Sequence, residues 1–153
     1  MFVVGCLFVL GIIRYQRYRG QSRTVAELKA IRLMCSAFEA EHFRFPSNID
    51  ELQSFTNRIR EEEPLAAESA CDGVRNGRYS VNWGLSLSKL HADGVDPWDV
   101  VVACESSMRT KGGLAVFLPD GGVGGAVFPV TPGAADYLLS KRWNKSIAQQ
   151  SGL

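Results

Sequence analysis

The chain has 153 residues, of which 46% are hydrophobic and 22% charged, and this suits one folded domain plus an anchor segment. Its formal net charge is +1, whereas a dedicated nucleic-acid-binding domain is usually strongly basic, so we expect no nucleic-acid partner. The 15 glycines favour a turn-rich β region over an all-helical bundle.

The first predicted element is an apolar segment, FVVGCLFVLGII, at residues 2–13. Basic residues follow it directly, beginning with Arg14 and Arg17, and such a cluster is typical of a membrane flank. We therefore expect residues 1–20 to form the membrane-anchor part of a helix and residues 21–153 to form the head. The side chains expected to anchor the chain are Phe2, Val3, Val4, Leu7, Phe8, Val9, Leu10, Ile12 and Ile13.

The orientation of the head depends on what precedes the apolar segment. The segment is shorter than the roughly 20 residues that a spanning helix needs, so we expect the recorded start to be internal. As written, the basic flank would leave the head in the cytoplasm, whereas a basic leader would place the head outside. We expect a single-pass inner-membrane protein with its head outside the cytoplasm.

An amphipathic helix is predicted over residues 22–43. No glycine or proline interrupts residues 21–45, so the anchor and this stretch predict one continuous helix of about 40 residues, about 60 Å long. Its apolar stripe consists of Leu28, Ile31, Cys35 and Phe38, and the charged residues expected largely off the stripe are Glu27, Lys29, Arg32, Glu39 and Glu41. The stripe requires a partner, which would be a head folded against the C-terminal half of the helix.

The Phe45-Pro46 pair predicts the end of the long helix, because the residue before a proline disfavours helical angles. Ser47, with Asp50 three residues later, predicts the N-cap of a short helix over residues 48–55. Residues 57–78 are polar and contain Pro64 and two glycines, which predicts a loop.

Four later segments have the pattern of strands: RYSVNW at 78–83, DVVVACE at 99–105, LAVFL at 114–118 and VGGAVF at 123–128. The sequence Pro-Asp-Gly-Gly at 119–122 predicts a hairpin turn. Thr131 followed by Pro132 predicts the start of a last helix over residues 133–148. The predicted fold class is therefore α+β, with a long N-terminal helix packed on a small antiparallel β-meander and a C-terminal helix.

This order of elements resembles that of type IV pilins and of the major pseudopilin of type II secretion. The segment AELKAIRLMCSAFEAEHFRFPSNIDEL at 26–52 is similar to the helix end of that family. There an aromatic-proline pair closes the helix before a short segment containing leucine, here Leu52. Asp96-Pro97-Trp98 is similar to the Asp-Pro-Trp of the major pseudopilins, with Asp99 in place of the glycine that usually follows.

The C-terminal half looks closer to a prepilin-type family named for a motif of His, nine residues and Asp-Gly. The shared frame is VVVACE at 100–105, a Gly-Gly at 112–113, LAVFL at 114–118 and Asp-Gly-Gly-Val at 120–123. Thr110 and Gly122 stand where that family has histidines, so no role of those histidines is carried over.

The resemblance implies a pilin-like, membrane-anchored structural subunit with no catalysed reaction. It would assemble with like subunits into a type IV pilus or a type II secretion pseudopilus, with the secretion or pilus assembly machinery as partner. The alternative is a membrane-tethered binding module of the same fold that never assembles. That alternative is supported by residues 1–26, which contain no acid, whereas pilins have a Glu near the start of the mature helix.

Calcium is the one cofactor that the resemblance suggests. Acids cluster at Asp93, Asp96, Asp99 and Asp120, and Ca²⁺ takes carboxylate and carbonyl oxygens from such loops. The major pseudopilins bind Ca²⁺ in the head, and the loop 93–99 would be the analogous place. The alternative is that these acids are ordinary turn residues.

Four cysteines are present, Cys6, Cys35, Cys71 and Cys104, without a CxxC pair or a histidine at metal-binding spacing. Cys71 and Cys104 would pair if the head lies in an oxidising compartment, and the alternative is two buried thiols. A third alternative is a small hydrolase that uses His91 or Cys104, and such chemistry would need a histidine beside a nucleophile.

The two histidines, His42 and His91, accompany no nucleophile motif, so we expect them to be surface or half-buried side chains. The glycine run at 121–125 lies inside a predicted hairpin, which argues against a phosphate-binding loop. The large aromatic residues would line a binding surface or, for most of them, fill the core: Trp83, Trp98, Trp143, Phe117 and Phe128.

Overall fold

The computed structural model describes residues 2–59, 64–118 and 127–150 of the chain. The helices are α1 (Phe2–His42), α2 (Ile49–Ser54), α3 (Pro64–Arg75), α4 (Leu87–Ala92), α5 (Met108–Lys111), α6 (Pro132–Leu139) and α7 (Lys145–Gln150). The strands are β1 (Tyr79–Val81), β2 (Val101–Glu105), β3 (Gly113–Phe117) and β4 (Val127–Val130). Short 3-10 turns lie at Thr56–Arg58, Pro97–Asp99 and Arg142–Asn144. The fold is α+β.

Helix α1 is one continuous helix of 41 residues, as the uninterrupted sequence predicts. The predicted stripe of Leu28, Ile31, Cys35 and Phe38 is buried, with each residue at most 3% exposed. The prediction that the charged residues lie off the buried face is wrong for Glu27 and Arg32, because both find polar partners inside the head and are 1% and 5% exposed.

The chain turns sharply after α1, at Phe43, which has a positive φ of 57°. The backbone N–H of Phe45 then donates to the carbonyl of Leu85 at 2.7 Å, and this bond connects the turn to the head. Phe45 itself is fully buried. The predicted helix end at the Phe45-Pro46 pair is therefore confirmed.

The short helix α2 is also confirmed, but its N-cap is Asn48 rather than Ser47. The Asn48 Oδ1 atom accepts from the N–H of Glu51 at 3.0 Å. Ser47 instead donates its backbone N–H to the Glu51 carboxylate at 2.7 Å. The acid that faces back toward the helix start is therefore Glu51, one residue after the predicted Asp50, and it accepts from the residue before the N-cap.

The prediction of a loop over residues 57–78 is wrong, because α3 occupies Pro64–Arg75. Pro64 is compatible with the first turn of a helix, where no intrahelical N–H donor is needed. Ala67, Ala70 and Cys71 recur at helical spacing and are buried in the cluster that contains the α1 stripe. These side chains are small, so the segment reads as polar in sequence although one of its faces is apolar.

The sheet is the predicted antiparallel meander, with strand order β1-β2-β3-β4. Tyr79 lies opposite Glu105, and Ala103 lies opposite both Val81 in β1 and Val116 in β3. The register shifts between Val101 and Ala103, which is the mark of a β-bulge. The predicted turn at 119–122 and the strand residues 123–126 lie outside the described residues.

Helices cover both faces of the sheet. On one face, α1 and α3 bury Tyr79, Val81 and Val116 in a shared hydrophobic cluster. On the other, α5, α6 and α7 bury Cys104, Ala115 and other residues in a second cluster. The head therefore folds against the C-terminal half of α1, as the stripe predicts.

The prediction of a single last helix over 133–148 is wrong. Thr131 caps α6 as predicted, with its Oγ1 accepting from Ala134 N–H at 3.4 Å. The helix stops at Leu139, and Lys141 has an extended conformation with ψ 136°. A 3-10 turn then carries Asn144 into the protein interior, and α7 begins at Lys145. The predicted helix is therefore interrupted at the point where the Asn144 side chain is buried.

Candidate functional site

The junction between α1 and the head is built around the carboxylate of Glu27. Arg23 Nε donates to Glu27 Oε1 at 2.9 Å, and Arg78 Nη2 lies 3.0 Å from Oε2. The hydroxyls of Ser69 in α3 and Tyr79 in β1 also donate to this carboxylate. One buried acid thus joins α1, α3 and β1.

The carboxylate of Glu27 is held in its charged form. Burial alone disfavours the charge, but the hydrogen bonds from Ser69, Tyr79 and Arg23 and the charge of Arg78 outweigh it, so its pKa lies below the ordinary value. The pKa of Tyr79 is raised, by burial and by the hydrogen bond to Glu27, so its hydroxyl remains a donor. A charge satisfied on both oxygens fixes geometry more than it adds stability.

Arg32 makes a second polar link between α1 and the head. Its Nη2 donates to the carbonyl of Leu118, just after β3, at 2.9 Å. Its Nη1 bonds the hydroxyl of Ser36, and its guanidinium lies 5.8 Å from the ring centroid of Phe45. Glu27 and Arg32 therefore fix the rotation of α1 at two points, which the hydrophobic stripe alone would not do.

An aromatic patch of Trp98, Phe117 and Phe128 reaches the surface of the head through Trp98 and Phe128, whereas Phe117 is buried beside them. The Trp98 and Phe128 rings are 5.7 Å apart and edge-on, and Phe117 lies 6.5 and 6.2 Å from them. Trp98 is 51% exposed and Phe128 is 43% exposed. Trp83, Trp143 and Phe117 pack in or against the core, as predicted for most of the large aromatic residues, and Trp98 and Phe128 are the two that are exposed instead.

A cleft of about 390 Å³ opens between α4 and α7, and we refer to it as the α4–α7 cleft. Trp83 and Trp143 line it, both partly buried and packed against the core. The cations Lys89, Arg142 and Lys145 also line it. The two tryptophans are among the aromatic residues singled out in the sequence, whereas the cations are not, because Lys89 lies more than fifty positions before Arg142 and Lys145.

The acids predicted to hold calcium have other partners in the structure. Asp93 accepts from Arg142 at 3.0 Å, Asp99 lies 3.5 Å from Lys141 Nζ, and Asp96 accepts from the N–H of Trp98 at 2.9 Å. Within the described ranges, no three His, Cys, Asp or Glu side chains are grouped to hold a metal ion. Asp120 lies outside the described residues, and calcium binding stays a prediction.

Cys35, Cys71 and Cys104 are buried free thiols. Cys71 belongs to the cluster on the α1 side of the sheet and Cys104 to the cluster on the opposite side. Burial raises the pKa of Cys35 and that of Cys104 to about 12, which removes thiolate character from both. The structure thus places Cys71 and Cys104 as the separate buried thiols of the second alternative.

The two histidines have different surroundings. The His42 ring stacks on Phe38 at 4.0 Å, and its Nδ1 lies 3.1 Å from the carbonyl of Phe38. His91 lies on the exposed side of α4, whereas Cys104 is buried under α5 and α6. The structure does not bring His91 and Cys104 together as a hydrolase would require.

The predicted anchor residues from Phe2 to Ile13 lie in the first part of α1, and their side chains are outside what the structure describes. In the described part of the chain, no helix has the length and apolar character needed to cross a membrane. No family model matches the sequence, and neither the curated proteins nor the solved structures provide a significant match.

Proposed function

We propose that this chain is a pilin-like structural subunit that is held in the membrane by the first part of α1 and assembles with like subunits into a filament. The filament would be of the type IV pilus or type II secretion pseudopilus kind, built by the matching assembly machinery. The observation that carries the proposal is α1 itself. It is a helix of 41 residues, one part of which is built into the head while the other carries the apolar residues 2–13.

The junction supports a subunit of this kind. A helix of this length spans about 60 Å, and its head-packed stretch from Glu27 to Phe38 spans about 17 Å. Two polar links, at Glu27 and Arg32, fix the rotation of that stretch relative to the sheet. Packing of α1 against neighbouring copies would therefore fix the position of each head.

The head offers a surface for lateral contact in the aromatic patch. Trp98 and Phe128 are about half exposed, and aromatic side chains are enriched in the centres of protein interfaces. We therefore assign this patch to contacts between heads, and we assign no catalysed reaction to the chain.

Photo-crosslinking in native membranes tests assembly. Benzoylphenylalanine replaces Phe8 in α1, the cells are irradiated, and the membrane fraction is blotted for the chain. The expected result is a ladder of covalent oligomers, and the same amino acid at the buried Phe55 serves as a control that gives none. Release of the chain from membranes by a high-salt wash would contradict anchoring.

A second variant tests the lateral contact. Trp98→Ala with Phe128→Ala is expected to shorten the ladder, whereas Tyr137→Ala, which removes another ring exposed by 55%, is expected to leave it unchanged.

Protease treatment of spheroplasts tests the orientation, because a head outside the cytoplasm is digested without lysis.

The second candidate function is a membrane-tethered binding module of the same fold. The α4–α7 cleft favours it, because a mixed polar and apolar concavity is the usual form of a ligand site. If the crosslinker in place of Phe8 gives only a monomer band, and the chain still resists the salt wash, the result would support this candidate over the filament.

A further inference from the structure

We infer that the α4–α7 cleft binds an acidic peptide segment of a partner protein. The inference is independent of filament assembly, because it concerns a concavity of the head that neither α1 nor the aromatic patch contributes to. It depends on the charge of the rim, on the construction of the floor and on the division of the cations between two walls.

The charge of the rim selects an anionic ligand. Three cations, Lys89, Arg142 and Lys145, line the cleft together with a single acid, Asp93. That acid accepts from Arg142 at 3.0 Å, and Arg142 is still 71% exposed. Within the described residues, the ammonium groups of Lys89 and Lys145 have no ion-pair partner. Two solvated ammonium groups at a concave site favour carboxylates.

The floor of the cleft is organised before any ligand arrives. Trp143 Nε1 donates to the carbonyl of Asp99 at 3.0 Å, which fixes the indole. The backbone carbonyl of Trp143 accepts from Asn82 Nδ2 at 2.9 Å, and the N–H of Trp83 donates to Ser146 Oγ at 3.3 Å. A rigid floor of partly buried indoles lowers the entropic cost of binding and provides apolar area for a peptide.

The arrangement of the cations favours a peptide over a small anion. Lys89 is on α4, whereas Arg142 and Lys145 are at the start of the opposite wall. A small anion such as phosphate needs donors that converge on one point, whereas successive acidic side chains of a peptide can reach cations on two walls. The indoles between the walls would contact the apolar parts of the same peptide.

Peptide binding to the full chain in a mild nonionic detergent tests the inference. The probe is a hexaglutamate peptide labelled with an uncharged dye, read by fluorescence anisotropy, and the matched control is the hexaglutamine peptide. We expect saturable binding of the glutamate peptide alone, weakening as the salt concentration is raised. The variant Lys89→Gln with Lys145→Gln is expected to raise the Kd about tenfold.

The control variant, Lys29→Gln with Lys111→Gln, removes the same charge from outside the cleft and is expected to leave the Kd unchanged. Circular dichroism confirms that each variant is folded. Equal binding of the two peptides, or equal weakening by the two double variants, would overturn the inference. Displacement of the peptide by inorganic phosphate at the same concentration as by unlabelled peptide would also overturn it, in favour of a small-anion site.

Discussion

The hydroxyl of Tyr79 in β1 donates a hydrogen bond to the carboxylate of Glu27 in α1, across 52 positions of the chain. Glu27 is 1% exposed, and its carboxylate also accepts a hydrogen bond from the hydroxyl of Ser69 in α3. Arg23 and Arg78 reach it from the surface, where their side chains are 65% and 39% exposed. The buried acid therefore has its countercharges at the edge of the core, and its loss leaves cations that water can solvate.

Replacing this acid measures how strongly the junction depends on it. Glu27→Gln keeps the shape but removes the charge, and we expect it to lower the free energy of unfolding by about 2 kcal/mol. Breaking a fully buried ion pair costs about 3–5 kcal/mol, and we expect a smaller loss here because Arg23 and Arg78 remain hydrated. Urea denaturation followed by circular dichroism gives the value.

The matched control is Glu41→Gln on the same helix. Glu41 lies 2.9 Å from Arg58 in an ion pair whose side chains are 42% and 64% exposed. Such a surface pair contributes about 0.2–1 kcal/mol. Similar losses for the two variants would show that the Glu27 network does not hold α1 to the head.

The pH dependence of α2 provides a second prediction. The hydrogen bond from Arg44 and that from the Ser47 backbone lower the pKa of Glu51 from 4.5 to about 2. Because the folded pKa is depressed, the stabilisation by Glu51 is present in full above about pH 4.5 and is lost as the pH falls from there toward 2. Carboxyl NMR should give a midpoint for Glu51 near 2 in the folded chain.

The Arg44→Gln variant shows whether that midpoint has the stated cause. The main hydrogen bond to the carboxylate is then lost, so we expect the Glu51 pKa to rise toward 4.5. The Arg58→Gln variant removes a cation that pairs with Glu41 and should leave the Glu51 midpoint in place. An unshifted midpoint in Arg44→Gln would contradict the assignment.

The sequence predicts those elements whose apolar residues are large and regularly spaced. The α1 stripe and the β-branched run at 99–105 are of this kind, and both lie where the patterns put them. Helix α3 was not predicted, because its buried face consists of Ala67, Ala70 and Cys71 and these small side chains give only a weak hydrophobic periodicity.

The sites are harder to predict than the elements, because they depend on contacts between distant positions. Glu27 looks like a solvated helix residue until Tyr79 and Ser69 are brought beside it by the sheet and α3. In the same way, Lys89 and Lys145 become neighbours of one cleft only after α4 and α7 are in place. Hydrophobic periodicity does not contain such polar partnerships.

The break between α6 and α7 leads to a third prediction. Asn144 is fully buried, and its Oδ1 accepts from Val101 N–H and from Asn82 Nδ2, both at 3.1 Å. Its Nδ2 donates to the carbonyls of Asp99 and Leu138, both at 2.8 Å. Asn144→Ala removes all four of these hydrogen bonds, and we expect a loss of about 3 kcal/mol in the free energy of unfolding.

The control for this variant is Asn76→Ala. Asn76 is exposed and its side chain accepts one bond, from the N–H of Arg78 at 3.2 Å, so we expect a loss of at most about 1 kcal/mol. Thermal or urea unfolding of the two variants side by side gives the comparison. A small loss for Asn144→Ala would mean that water replaces the buried amide and that the break in the last helix has another cause.

The close approach of α3 to the Tyr79 ring provides the last prediction. A Cβ added at Gly73 would lie 2.6 Å from Tyr79 Cδ2 and Cε2, in a ring that is 1% exposed and held by Glu27. Gly73→Ala therefore forces α3 away from β1. We expect it to cost about 2 kcal/mol, although alanine favours a helix interior by about 1 kcal/mol over glycine.

The same substitution at Gly133 in α6 serves as the control, because a Cβ there has no atom within 4 Å. We expect Gly133→Ala to be neutral or to stabilise by a few tenths of a kcal/mol. Combining Gly73→Ala with Tyr79→Leu distinguishes the ring contact from a backbone effect, since removing the ring should relieve the added cost. If Gly73→Ala lowers the free energy of unfolding by as much in the Tyr79→Leu background, its effect does not come from a clash with the ring. The contact between α3 and β1 would then not be what restricts residue 73 to glycine.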